Sequence, residues 1–465
     1  MLKRSHLILA ILVALGSAER VAAFSLNGPP EAWQVQAIGY QIDGGDIFGP
    51  MNLGEEYRWN TPVITYGFDP SFLDYFGQQG VEAVEKGIQI LNSLPPFSAM
   101  SADLSEFPLD TRRFNHQATA LGIFDLKTWV LSSMLEEMGV APPERWMFTI
   151  RERRLIGPAQ IPFYLVIKRN FDPVTLAPSS YINGVLYSYQ ILHTFLNPDI
   201  WEAVEFTVDP LAPTDTTVAA IAGVGIGTDP SRGFVNNTSG LFVTGLTRDD
   251  VGSLRYIYNK NNVNVENLPP NSTVTATGSG PWGVPGGGTN VVTNAVLQAA
   301  RPGIDKINLL RLNFDSLVGQ WTPITNRYQD TFVTNGAVRI QTVERVVLQP
   351  DMLFGAADLG LTVGVPFPIF RSRNIPYINN DAINGRVGLA GPGEIQSQAI
   401  MLYSKIGPFF INVFEGSEET GTPGFIWGHY DGTTNAPIVF PIGTSIRQIE
   451  QMVFGASRGK PWAPP

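Results

Sequence analysis

Cysteine is absent from the 465 residues, so neither a disulfide nor a thiolate zinc site can form. Histidine is nearly as scarce. Beyond the first residues only His116, His193 and His429 remain, scattered along the chain, and no two stand at i, i+4, so histidine-based zinc binding has no local signature. Charge is thin as well: 15% of residues are Asp, Glu, Lys or Arg, and the formal net charge is −10. An acidic chain of this kind is no candidate for nucleic acid or an anionic membrane, which want basic patches. After the first 23 residues no apolar run approaches the ~20 residues that a bilayer-spanning helix needs, so no integral membrane anchor is expected.

Apolar side chains are plentiful, at 44% of residues with 11% aromatic, enough for large cores. With 47 glycines and 36 prolines, the composition favours strands joined by many turns. Residues 1–23 read as an export signal. Lys3 and Arg4 precede an apolar run over 7–15, and Val21-Ala22-Ala23 offers small residues for cleavage near Ala23. An exported chain without disulfides points to a bacterial periplasmic or extracellular protein.

The most informative stretch runs from Asp125 to Gly139. Asp125 suits a helix N-cap, helix formers fill the middle, and Gly139 suits a left-handed stop. Leu126, Trp129, Val130, Leu131, Met134, Leu135 and Met138 cover more than one face, which predicts a largely buried helix. Glu136-Glu137 is expected to mark its wet edge. Ahead of it, 24–60 is irregular, with aromatic islands at Trp33, Tyr40 and Tyr57-Arg58-Trp59. A short apolar strand over 62–68 should end in a turn at Asp69-Pro70, and 80–94 shows helical spacing stopped by Pro95-Pro96.

Past 141 the period shifts towards two, with strands expected over 163–168, 185–191, 203–208 and 217–222 between Asp-Pro, Asn-Gly and Ala-Pro breaks. Thr247 with Asp250 makes a capping-box-like start to a closing helix over 247–258, whose sticky face is Val251, Leu254 and Ile257. Residues 268–290 are low in charge and full of chain breakers, so they read as a linker. Beyond it a short helix over 295–300 is expected, then strands over 338–348, 400–406, 409–414 and 437–440, and a helix over 445–454. The fold class expected is α+β: an α+β domain over 61–267 with a strand-rich insertion, then a β-rich, sandwich-like domain over 291–465.

The order of strand, helix, buried helix ending in Met138-Gly139-Val140, and a closing L-T-R-D-D-V-x-x-L-x-x-I-Y helix resembles matrixin-type metzincins. Phrases such as I-T-Y-G-F-D-P-S-F and R-N-F-D-P are also similar to secreted bacterial proteins of unknown function. In metzincins the middle helix carries H-E-x-x-H-x-x-G-x-x-H, three His for zinc and a Glu as general base. Aligned on Gly139, those positions hold Ser132, Ser133, Glu136 and Pro142. The resemblance therefore implies the scaffold without the chemistry.

Other motifs fail on context. Gly455-Ala456-Ser457-Arg458-Gly459 matches a nucleophile elbow, yet no Asp, Glu or His follows it. Gly223-Val224-Gly225-Ile226-Gly227 lacks the last glycine of a phosphate loop. Asn379 to Gly385 carries oxygen donors at spacings that depart from a calcium loop. Acid pairs for glycoside hydrolysis would have to come from Glu136, Glu137, Asp249, Asp250, Glu418 and Glu419. Trp321, Trp427 and Tyr430 are either sugar platforms or core. His429 is placed at a turn following a strand. No catalytic residue, cofactor-binding residue, metal ligand or cofactor is assigned. The expectation is a secreted bacterial structural or binding protein with a non-catalytic metzincin-like domain, its candidate partners a cell-surface polysaccharide or an extracellular protein. The alternative is an extracellular polymer hydrolase built on carboxylates that the fold brings together.

Overall fold

A computed structural model describes residues 23–28, 49–143, 147–193, 201–209, 239–275, 295–357, 369–373, 395, 398–405, 410–412, 421–423 and 426–456. The molecule is a mixed α and β protein, 21% helix and 41% strand, with many small sheets. Most of the stretch expected to be an export signal, Trp33, Tyr40, the strand expected over 217–222, the Gly223–Gly227 run, the Asn379–Gly385 segment, Glu418, Glu419 and Ser457 lie outside the described residues.

Helix α1 (Pro70–Asn92) starts ten residues before its expected span. Asp69 accepts a hydrogen bond from the Phe72 N–H at 2.9 Å and Pro70 takes the first turn. What read as a turn at Asp69-Pro70 is thus a helix start, because proline's fixed φ suits that position and its missing N–H is not needed there. Helix α2 (His116–Ala120) is short. Helix α3 (Leu126–Glu137) spans the stretch predicted for it, capped by Asp125, and all twelve of its residues are buried. Helix α4 (Arg248–Ile257) begins with the Thr247/Asp250 capping box, and helix α5 (Ile446–Ala456) closes the described chain.

A five-stranded sheet runs in the order Asn308–Arg311, Val63–Phe68, Met352–Ala357, Ala399–Ser404, Ile369–Arg373; the first four are parallel and the last antiparallel. Phe72 and Phe76 of α1 pack on Phe68, Phe354 and Tyr403 of this sheet, and α3 packs against α1. One continuous apolar core reaches from Phe24 to Phe440.

A second, antiparallel sheet joins Asn264–Asn267, Gln298–Arg301, Ile324–Thr334, Ala337–Val347 and Ser272–Thr275. Both sheets mix strands from the two sides of the expected linker, and Ser272–Thr275, inside that linker, is itself a paired strand. Strand pairing therefore crosses the boundary that composition suggested. The expected helix over 295–300 is also a strand at Gln298–Arg301. Four residues cannot sustain a helix alone, whereas pairing satisfies their backbone and Arg301 is held by Asp330 at 2.8 Å.

A separate small core unites two β-hairpins. The first is Phe148–Ile156 with Ile161–Lys168, the second Val185–His193 with Trp201–Thr207. Met147, Phe148, Ile150, Ile182, Tyr187 and Ala203 are buried between them, and Glu205 accepts from the Phe148 N–H at 2.9 Å. Asn183-Gly184 turns the chain into the second hairpin, as its dipeptide predicts.

Candidate functional site

Helix α3 is enclosed on every side, so the positions that would face zinc in a metzincin face packed protein. Ser132 is 1% exposed, Ser133 0% and Glu136 2%, and Pro142 is buried. Ser133 Oγ bonds back to the Trp129 carbonyl at 2.9 Å. Glu136 and Glu137 form no wet edge: both are buried, because residues around Asn27, the Tyr57–Trp59 island and α4 close over that end.

That closure also caps the helix. A helix leaves its last carbonyls without intrahelical donors. Here Tyr57 Oη reaches the Glu136 carbonyl at 3.1 Å, Trp59 Nε1 the Glu137 carbonyl at 2.9 Å, and Tyr258 Oη the Met138 carbonyl at 2.9 Å. Gly139 follows at φ +100, and a Cβ there would stand 2.5 Å from the Tyr57 carbonyl oxygen. Only glycine fits. Burial pushes the Tyr258 phenol well above its ordinary range, which keeps it a donor.

Among the described residues the carboxylates considered for hydrolysis, Glu136, Glu137, Asp249 and Asp250, are all buried. Asp250 is occupied by the capping box. Asp249, 1% exposed, accepts from the Ala23 N–H at 2.7 Å and the Asn183 N–H at 2.6 Å, and burial raises its pKa well above the usual carboxyl range. Trp427 and Tyr430 are core residues, and Trp321 packs on Phe314 at 5.1 Å between ring centroids. His116 opens α2. Among the described residues no group of three His, Asp or Glu stands together as metal ligands.

The N-terminal end of α3 holds a polar cluster that no sequence motif marks. Ile426–His429 pairs in parallel with Ile123–Asp125, setting Gly428 opposite Asp125. Gly428 allows this approach, since a Cβ would meet Ile123 at 2.3 Å and the Ile438 carbonyl at 2.6 Å. His429 therefore ends a strand beside the cap of α3 instead of sitting at a free turn.

One Asp125 oxygen accepts from Thr128 N and Oγ1 at 3.0 and 2.6 Å; the other meets His429 Nδ1 at 2.9 Å and Tyr430 N at 3.4 Å. On its far side His429 Nε2 lies 2.9 Å from Nζ of Lys86, an exposed residue of α1. A lysine ammonium can only donate, so Nε2 accepts and the imidazole proton sits on Nδ1, aimed at Asp125. Asp125, His429 and Lys86 thus form one hydrogen-bonded chain from the core to solvent. Beside it, bonds from Thr433 hold the exposed Asp431 carboxyl below its usual range, with nearby Lys86 adding to the effect. The three members come from positions 304 and 343 residues apart in pairwise contacts, and the only sequence signal was the scarcity of histidine itself.

The hairpin pair presents a different surface. In the first hairpin Tyr164 and Val166 turn inward, while Ile156, Ile161, Phe163 and Leu165 share the outer face, with Ile161 63% exposed. Arg154 lies over the Phe163 ring at 4.7 Å on that face. In the second hairpin Leu186, Leu192, Phe206 and Val208 are exposed on the side opposite the small core. Compared with known proteins, the chain matches no family, no curated protein and no solved structure.

Proposed function

We propose that the chain is an exported bacterial binding or structural protein, a metzincin-like α+β scaffold without zinc chemistry, and that it engages an extracellular protein through the hairpin pair. The observation carrying this reading is the outer faces of the two hairpins. Clustered exposed Ile, Leu, Phe and Val on one lobe mark an interaction surface, because water-facing patches of this kind are normally kept small. Their aliphatic character favours a protein partner over polysaccharide, whose recognition relies on aromatic platforms and dense hydrogen bonding.

The buried state of Ser132, Ser133 and Glu136 supports the non-catalytic half of the proposal, since no substrate reaches them. The test is retention of extracellular protein and cell-wall fractions on the immobilised full chain, compared with Ile161→Asp and Phe163→Asp. Retention of a protein fraction that both substitutions abolish, with circular dichroism unchanged, is the expected result. Equal retention by all three, or retention of polysaccharide only, would overturn it. For the non-catalytic half, one tightly held zinc per chain in elemental analysis would do the same.

A further inference from the structure

We propose that Lys86 is a covalent capture site for small aldehydes, activated by His429 and with Asp125 as the positioning residue. This goes beyond the binding role of the hairpins and uses a different part of the molecule. Lys86 is exposed, so a small carbonyl compound can reach its Nζ from solvent. The same Nζ is 2.9 Å from His429 Nε2, within proton-transfer distance. His429 is 6% exposed and anchored through Nδ1 to Asp125, itself fully buried, at 2.9 Å. Asp125 is in turn fixed by Thr128 and by the Tyr430 N–H. A base with one nitrogen held by a buried carboxylate and the other facing a nucleophile is the general layout of an activated nucleophile, here with an amine in the nucleophile's place.

The chemistry balances without any further reagent. The Lys86 ammonium passes one proton to His429 Nε2, and the imidazolium is stabilised by Asp125 through Nδ1–H. The freed lone pair attacks the aldehyde carbon, forming the N–C bond as the C=O π pair moves to oxygen. His429 returns its proton to that oxygen, and a second proton from nitrogen completes the departure of water. The net change is ammonium plus aldehyde to protonated imine plus water, with charge conserved. The adjacent Asp431 carboxylate favours the positive charge left on the imine. A lysine serving only to cover the Asp125–His429 pair would show none of this reactivity.

The experiment treats the full chain with glycolaldehyde and cyanoborohydride and follows adducts by peptide mass mapping. Lys168 and Lys405, both exposed, are the internal references. Lys86 is expected to react at least about tenfold faster than either, a modest share of the usual acid–base advantage. His429→Gln can keep both hydrogen bonds but cannot carry a proton, and should bring Lys86 down to the reference rate. Asp125→Asn should reduce the rate and change its pH profile at Lys86 alone, a readout that simple loss of packing would not produce. Lys86 reacting no faster than Lys168 in the unsubstituted protein overturns the proposal, and that comparison depends on no variant folding. Unchanged selectivity in His429→Gln overturns it as well.

Discussion

The core around α3 and the two-hairpin lobe follow opposite designs. Around α3 every side chain is covered, including two serines, two glutamates and a lysine whose Nζ donates to the Val243 carbonyl at 2.6 Å. Aromatic donors from distant segments hold its last carbonyls. In the hairpin lobe a thin core of a few residues joins the two hairpins, and the apolar residues of the outer faces meet water. Apolar side chains are sealed from water in one place and left facing it in the other. Two-stranded sheets with little burial are marginal in isolation, so the lobe depends on its anchor, the reciprocal bonds between Asn183 and Asp249 at the start of α4.

The sharpest test of that contrast is a large-to-small change in each region. Trp129 packs edge-on against Phe124 and Trp427, so Trp129→Ala should destabilise global unfolding by about 3–5 kcal/mol in a denaturant titration. Trp201→Ala in the lobe should leave that midpoint nearly fixed and show instead as faster amide exchange confined to the hairpins. A global shift of equal size would erase the distinction. Next in size is Gly139→Ala, which combines a left-handed backbone with a clash on the Tyr57 carbonyl, for a loss of roughly 2–4 kcal/mol by thermal unfolding.

Acidity should separate the regions too. Burial raises the pKa of Glu56 and Asp249, both in or against the main core, above the usual carboxyl range, outweighing the hydrogen bonds each accepts. A carboxyl whose folded pKa lies above its unfolded one binds protons more tightly when folded. Its contribution to stability is complete below the unfolded value and is lost as pH rises through the folded value. The melting temperature should therefore rise on going from pH 8 to about pH 5, and Glu56→Gln should flatten part of that rise. The smallest effect belongs to the outer hairpin face: Leu165→Ser should change stability by less than about 0.5 kcal/mol while weakening partner retention.

Local features were legible in the sequence wherever a few neighbouring residues decide the backbone. Asp125 and Gly139 bracket α3, Thr247 and Asp250 start α4, and Asn183-Gly184 makes its turn. Features set by distant pairing were not. Residues 295–300 read as a short helix, yet Gln298–Arg301 becomes a strand because partners wait on both sides. Phe148–Ile156 hides its alternation behind Arg151 to Arg154, part of whose length projects beyond the small core. Asp125 was legible as a cap, but its second role emerges only when a strand more than 300 residues later lies beside it. The buried-helix pattern left Glu136 and Glu137 as a solvent-facing edge, which the folded segments around Asn27, Tyr57–Trp59 and α4 take away.

The strand Val63–Phe68 sits between Asn308–Arg311 and Met352–Ala357, with Ala399–Ser404 next in line. An emerging polypeptide consequently cannot finish its first sheet until several hundred later residues have appeared. During synthesis the early strand and the apolar face of α1 must wait without their partners, a natural substrate for holdase chaperones. Completion of this sheet is thereby deferred until Ala399–Ser404 has been made, so the early half of the core is the last to be sealed.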